Sequence, residues 1–232
     1  METQLERPHR RLHKKPFNVD TVFRRIEEAI APFPKAMLFE LADRGYRDVF
    51  QQLVACVISV RTLDEVSLES SLRLFDLAST SRRVAALDER EIDELIRPAT
   101  FHRQKSKTIR NIAREIETKY KGDLPCTREA LLEFKGVGPK CAALVLGVAC
   151  EQPYIAVDTH VHRITNRWGY VRTSSPEQTR SALESKLPTK YAIDINRLLV
   201  PFGKHICTWN RPKCSECPVL GYCKQVGVTN PR

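Results

Sequence analysis

The chain has 232 residues, 42% of them hydrophobic, and a formal net charge of +10, which is enough to bury a core in one large domain or two small ones. No uninterrupted apolar stretch approaches the ~20 residues that cross a bilayer, and Met1 to Lys15 lacks the apolar segment of a secretory signal; membrane-spanning and secreted classes are set aside. The basic excess favours a polyanion partner only weakly, because such charge is often solvated surface.

Residues 1–17 read as a disordered basic arm that adds loose phosphate affinity. An organellar presequence is the alternative, with Glu2 and Glu6 against it. Beyond the arm no segment alternates with period two, while helical spacing recurs almost throughout. Val19, Val22, Phe23, Ile26 and Ile30 form one apolar stripe behind Asn18 as N-cap. Val49 to Val60 is apolar on most faces and predicts a central, buried helix. Ile109, Ile112, Ala113, Ile116 and Tyr120 line another helix, with Arg110, Arg114 and Lys119 opposite.

Thr127 predicts the cap of a short helix ending near Phe134. Ser175-Pro176-Glu177-Gln178 reads as a serine cap, a proline at the first position and a glutamine closing a capping box. A last long helix spans Tyr191 to His205, with Pro201 expected to kink it or end it early. About ten short helices without an internal repeat define an all-α chain.

The eight cysteines do not read as a disulfide framework. Cys56, Cys141 and Cys150 sit in apolar runs as free, buried residues. Cys207, Cys214, Cys217 and Cys223 crowd together and read as a metal site in a reducing compartment.

Chemistry concentrates first at Lys135-Gly136-Val137-Gly138-Pro139-Lys140, between two apolar helices. Glycine at both positions permits backbone angles closed to other residues and lets an anion approach. Pro139 suits a first helical turn, and the free amides there, with the helix dipole, favour phosphate. Gly-x-Gly also serves as a plain tight turn. Lys140 either pairs with a phosphate or acts as an amine nucleophile; partial burial beside positive charge would lower its pKa and free some amine.

Asp158, in Val157-Asp158-Thr159-His160, reads as an N-cap, as a carboxylate that stabilises developing positive charge, or as both. His160 and His162 either touch phosphate or are structural. Four cysteines suggest zinc by default, but zinc sites usually offer two short-spaced pairs, and Cys207-x6-Cys214-x2-Cys217-x5-Cys223 has one.

Leu132–Ala149 resembles the helix-hairpin-helix of the endonuclease III branch of DNA glycosylases, and the similarity runs from about Asn18 to Val226. The resemblance implies that Lys140 is the nucleophile and that Asp158 assists the reaction. Lys135, Gly136, Val137 and Gly138 would hold DNA phosphate, with His160 as a further contact. The cysteine spacing is similar to the family's 4Fe–4S loop. That cluster would hold Arg211-Pro212-Lys213 where Arg211 and Lys213 meet phosphates, without doing the hydrolytic chemistry itself.

Alignment with the family makes Arg61 and Phe101 the candidates to fill the space left by an everted nucleotide. Both depart from better-known bacterial members, which carry glutamine and a smaller aliphatic there, and glycine where Thr100 stands. Asp64 matches a family acid near the lesion pocket.

The architecture implied is a six-helix barrel over 42–152 beside a 4Fe–4S cluster domain made from 18–41 and 153–226. The function implied is a bifunctional glycosylase and abasic-site lyase. It would remove oxidised pyrimidines such as thymine glycol from double-stranded DNA, as a cytoplasmic, nucleoid-associated monomer. Rival readings are an adenine-type or mismatch-type monofunctional glycosylase, and a non-catalytic DNA-binding paralogue. Lys140 weighs against the two monofunctional types, and retention of both Lys140 and Asp158 weighs against the non-catalytic paralogue, which the altered Thr100 and Phe101 keep open.

Overall fold

A computed structural model describes residues 14–232. Twelve α-helices and three short 3-10 turns follow one another, with no strand among the described residues. The helices are α1 (Val19–Ile30), α2 (Met37–Asp43), α3 (Val49–Ser59), α4 (Asp64–Leu77), α5 (Ser81–Ala86) and α6 (Glu89–Leu95). They continue with α7 (His102–Tyr120), α8 (Arg128–Glu133), α9 (Pro139–Cys150), α10 (Thr159–Trp168), α11 (Pro176–Lys186) and α12 (Asp194–His205). The chain is therefore all-α.

Two hydrophobic cores organise these helices. The first gathers α2 to α9 around α3. Leu53, Val54, Ala55 and Ile58 of α3 are fully buried, as expected of a helix that is apolar on most faces. Met37, Leu38 and Leu41 belong to this core, although they precede the expected boundary at 42. The second core joins both ends of the described chain: Val22, Phe23 and Ile26 of α1 pack with Ile164, Leu183, Leu199 and Phe202 of α10, α11 and α12. The cap of α1 is as expected, with the Thr21 N–H donating to Asn18 Oδ1 at 2.8 Å.

Several expectations need correction. Of the arm expected over 1–17, residues 1–13 lie outside the described residues, as does most of the stretch in which a presequence would fall. Lys14 and Lys15 instead bond the carbonyls of Leu220 and Gly221, and Phe17 packs on Trp168 and Tyr170. Pro201 lies inside α12, which runs on to His205. Proline forfeits one backbone bond, but it does not end the helix early, because Leu198, Leu199 and Phe202 are buried against the second core. The box at Ser175 is half formed: Ser175 caps the Gln178 N–H, while Gln178 Oε1 accepts from Ser174 rather than from the cap residue.

The cysteines hold the largest surprise. Cys150 is not free but forms a disulfide with Cys126, 24 residues away, which ties the segment before α8 to the end of α9. Cys56 and Cys141 stay free. Peptide mapping under non-reducing conditions should recover Cys126 linked to Cys150. Cys150→Ser should cost about 3 kcal/mol, the usual value for closing a loop of this length, and thermal unfolding of oxidised against reduced protein checks it.

Candidate active site

The hairpin is built from its caps inward. Thr127 accepts from the Ala130 N–H to start α8, and the Val137 N–H donates to the Phe134 carbonyl at 3.1 Å to close the turn. Val137 is buried and anchors the hairpin in the first core. Gly136 has φ +91°, a conformation that residues with a Cβ rarely adopt. Gly138 does not need its freedom, with φ −99° and ψ 173°. Its value is the open space where a Cβ would stand.

Gly138 is also the N-cap of α9, Pro139 opens the helix, and no side chain caps it. The amides of Lys140 and Cys141 are left for an anion at the positive end of the helix. Lys135, Gly136 and Gly138 are exposed around them. Lys140 is exposed too, rather than partly buried as expected.

Lys140 and Asp158 line one cavity of about 80 Å³, together with Ser59, Asp64, Leu144 and Asn196. Asp158 is a true N-cap: its Oδ1 accepts from the Val161 N–H at 2.8 Å. The second carboxylate oxygen is not committed to that cap. Asp64 opens α4 and pairs with Lys204 of α12 at 2.9 Å. Met37 and Asp64 also line a second cavity, of about 730 Å³, so the two spaces share a wall.

Arg61 and Phe101 come together on neighbouring loops, with the guanidinium 5.9 Å from the ring centroid. Phe101 is 55% exposed, so it is not a core residue. His160, read as either a phosphate contact or a structural residue, packs beside Gly203, where a Cβ would approach its Nδ1 to 2.3 Å. Arg163 bonds the same nitrogen at 3.2 Å, and His162 bonds Thr179 at 2.6 Å. Burial lowers the pKa of His160, while the Asp158 charge pulls the other way.

The sequence reading missed Lys204, Asn196 and Gly203. Lys204 had no visible partner, because Asp64 is remote in the chain. Gly203 could have been found as a small residue on the buried face of α12.

The four C-terminal cysteines line a cavity of their own, with Trp168, Phe202, Ile206 and Leu220 among its apolar walls. Among the described residues they are not drawn in to metal-ligand spacing. The donors around them suit thiolate sulfur. Arg167 Nη1 lies 3.4 Å from Cys207 Sγ, and the Gln225 N–H donates to Cys223 Sγ at 3.3 Å. Burial pushes the Cys217 thiol up to about 12 and Cys223 to about 11, so deprotonating them calls for a cation. Arg211 is exposed and Lys213 half-buried on the segment between Cys207 and Cys214.

A hairpin of open amides beside an amine and a carboxylate is a site for chemistry on a phosphate-bearing substrate. The family described as "HhH-GPD superfamily base excision DNA repair protein" matches residues 54–189. Endonuclease III of Thermotoga maritima is 40% identical over 177 residues, which is 76% of this chain and 83% of that protein. Endonuclease III-like protein 1 of Gallus gallus is 41% identical over 171 residues, 72% of this chain and 61% of that one. A solved structure of a trapped endonuclease III–DNA covalent intermediate superposes with a TM-score of 0.77 at 27% identity, over 89% of this chain and 94% of that one. The chain belongs to the endonuclease III family of the HhH-GPD superfamily, whose members are DNA glycosylases of base excision repair with abasic-site lyase activity.

Gly136→Ala should cost about 1–2 kcal/mol, the penalty of a Cβ in the left-handed region, read from denaturant unfolding. A histidine whose folded pKa lies below 6.5 binds its proton more readily when unfolded. Stability is therefore whole above pH 6.5 and falls as pH drops through the folded value of His160. Thermal unfolding between pH 8 and pH 5 should show that loss, and His160→Gln should reduce it to the part contributed by His205, whose pKa burial also lowers.

Proposed function

We propose that the protein removes oxidised pyrimidines, thymine glycol among them, from double-stranded DNA and nicks the strand at the resulting sugar. The observation that carries this reading is the single cavity shared by Lys140, in the first turn of α9, and Asp158. DNA enters as partner through the open amides of α9, the exposed Lys135 and Arg211, and the half-buried Lys213. The covalent and non-covalent endonuclease III complexes with DNA, which this chain resembles in fold, support DNA as the partner.

The chemistry follows from what each group can do. The Lys140 amine, once it has given up a proton, uses its lone pair to bond C1′ of the everted sugar. The glycosidic bond breaks, and its electrons leave with the base, which takes a proton. Opening of the C1′–O4′ bond then gives a Schiff base, with O4′ protonated. Loss of a C2′ proton expels the 3′ phosphate by β-elimination. The Asp158 oxygen outside the cap stabilises positive charge on the sugar and helps move protons around the amine. The space of about 730 Å³ beyond Asp64 receives the base, while Arg61 and Phe101 fill the gap it leaves.

Cys207, Cys214, Cys217 and Cys223 would hold a 4Fe–4S cluster. When bound, it would fix the 207–223 segment, which carries Arg211 and Lys213 toward phosphate. The second core is then the cluster domain and the first the helical barrel, and the protein works as a monomer.

Borohydride reduction in the presence of a thymine-glycol duplex should yield a covalent protein–DNA adduct, and Lys140→Gln should abolish it while binding persists. Binding by the wild type without an adduct would instead support the non-catalytic paralogue. Absorbance near ~400 nm with iron and no zinc, as thiolate-bound iron–sulfur requires, checks the cluster.

A further inference from the structure

The lip formed by Arg61 and Phe101 is held in an unusual conformation. Both residues sit in the left-handed region, at φ 53° and 59°, a conformation unfavourable to a residue with a Cβ. Such strain persists only where surrounding structure enforces it. The flanking residues Val60 and Leu63 are 49% and 67% exposed, so packing of the lip itself supplies little restraint.

One buried side chain bonds the base of the first loop and reaches the second through a shared hydroxyl. Lys105 of α7 is 6% exposed. Its ammonium donates to the Ile58 carbonyl at 2.6 Å, the Val60 carbonyl at 2.7 Å and Thr62 Oγ1 at 2.8 Å. Thr62 Oγ1 also accepts from the Thr100 N–H at 3.1 Å, so this hydroxyl joins the two loops. All three donors of the ammonium are used.

No carboxylate bonds it, and burial alone pulls its pKa down to about 8. A cation without a counter-ion is a costly way to fill a core. What it gains is the free carbonyls at the end of α3, where a helix favours positive charge. Lys105 precedes Ile109 by four residues on the buried face of α7, a place where an apolar residue would otherwise stand.

We propose that Lys105 is a positioning residue: its ammonium ties the 58–62 loop to the 99–101 loop and holds Arg61 and Phe101 as a wedge preformed for the vacated base stack. The proposal rests on the glycosylase reading above and adds the element that makes the wedge rigid before DNA arrives. A preformed wedge avoids the ordering cost that a mobile loop would carry into binding.

The test compares wild type and Lys105→Met on one abasic site, placed in a duplex and in a single strand. A single strand has no stack to enter, so trapping there reads the Lys140 chemistry alone. The duplex kcat/KM should fall about tenfold or more, chiefly through KM, while single-strand trapping stays at the wild-type level. Adding Phe101→Ala should cause little further loss, because both changes act on one wedge.

Equal losses on both substrates, or duplex losses that add in full, would overturn the proposal. If Lys105→Met does not fold, Thr62→Val removes the joining hydroxyl and keeps the ammonium. It must then show the same duplex-selective loss, and its absence also overturns the idea. A wild type that traps neither substrate refutes the lyase reading instead.

Discussion

The site depends on a backbone turn before it depends on any side chain. Gly136 reverses the chain at φ +91°, Val137 anchors the turn in the first core, and Pro139 starts α9 with no side chain over its first amides. These features together set Lys140 one residue into a helix whose positive end is open. An anion is drawn to the same end, so substrate and amine are brought together by geometry fixed before binding.

A second constraint places the acid. Asp158 caps α10, whose apolar face belongs to the second core, while Lys140 stands on α9 of the first. The cavity they share lies where the cores meet, and the pairing of Asp64 on α4 with Lys204 on α12 crosses that junction. The carboxylate is fixed by its capping bond, so it needs no reorganisation when charge develops nearby. The cysteine segment extends the second core, with Arg167 reaching from α10 to Cys207 and to the Thr208 carbonyl.

Local signals made much of this legible. Asn18, Thr127 and Ser175 announced helix starts because a cap needs only its own next turn. The hairpin, Asp158 and the cysteine spacing were visible for the same reason. What escaped were relations between distant residues. The Cys126–Cys150 bond, the Asp64–Lys204 pair and the Lys105 staple join residues 24, 140 and about 45 positions apart, and no periodic pattern encodes such partners. Pro201 does not end α12 early, because its helix-breaking propensity is outweighed by burial of its neighbours. The packing of His160 could not be read, because the close approach of α10 to Gly203 depends on how distant helices meet.

The most direct measurement is to reduce the protein with borohydride on a damaged duplex, digest it, and locate the DNA-bearing peptide by mass spectrometry. The modified residue should be Lys140, at the start of α9. Attachment at any other amine, or no attachment with fully folded and DNA-bound protein, would contradict a site organised around the Gly136 turn.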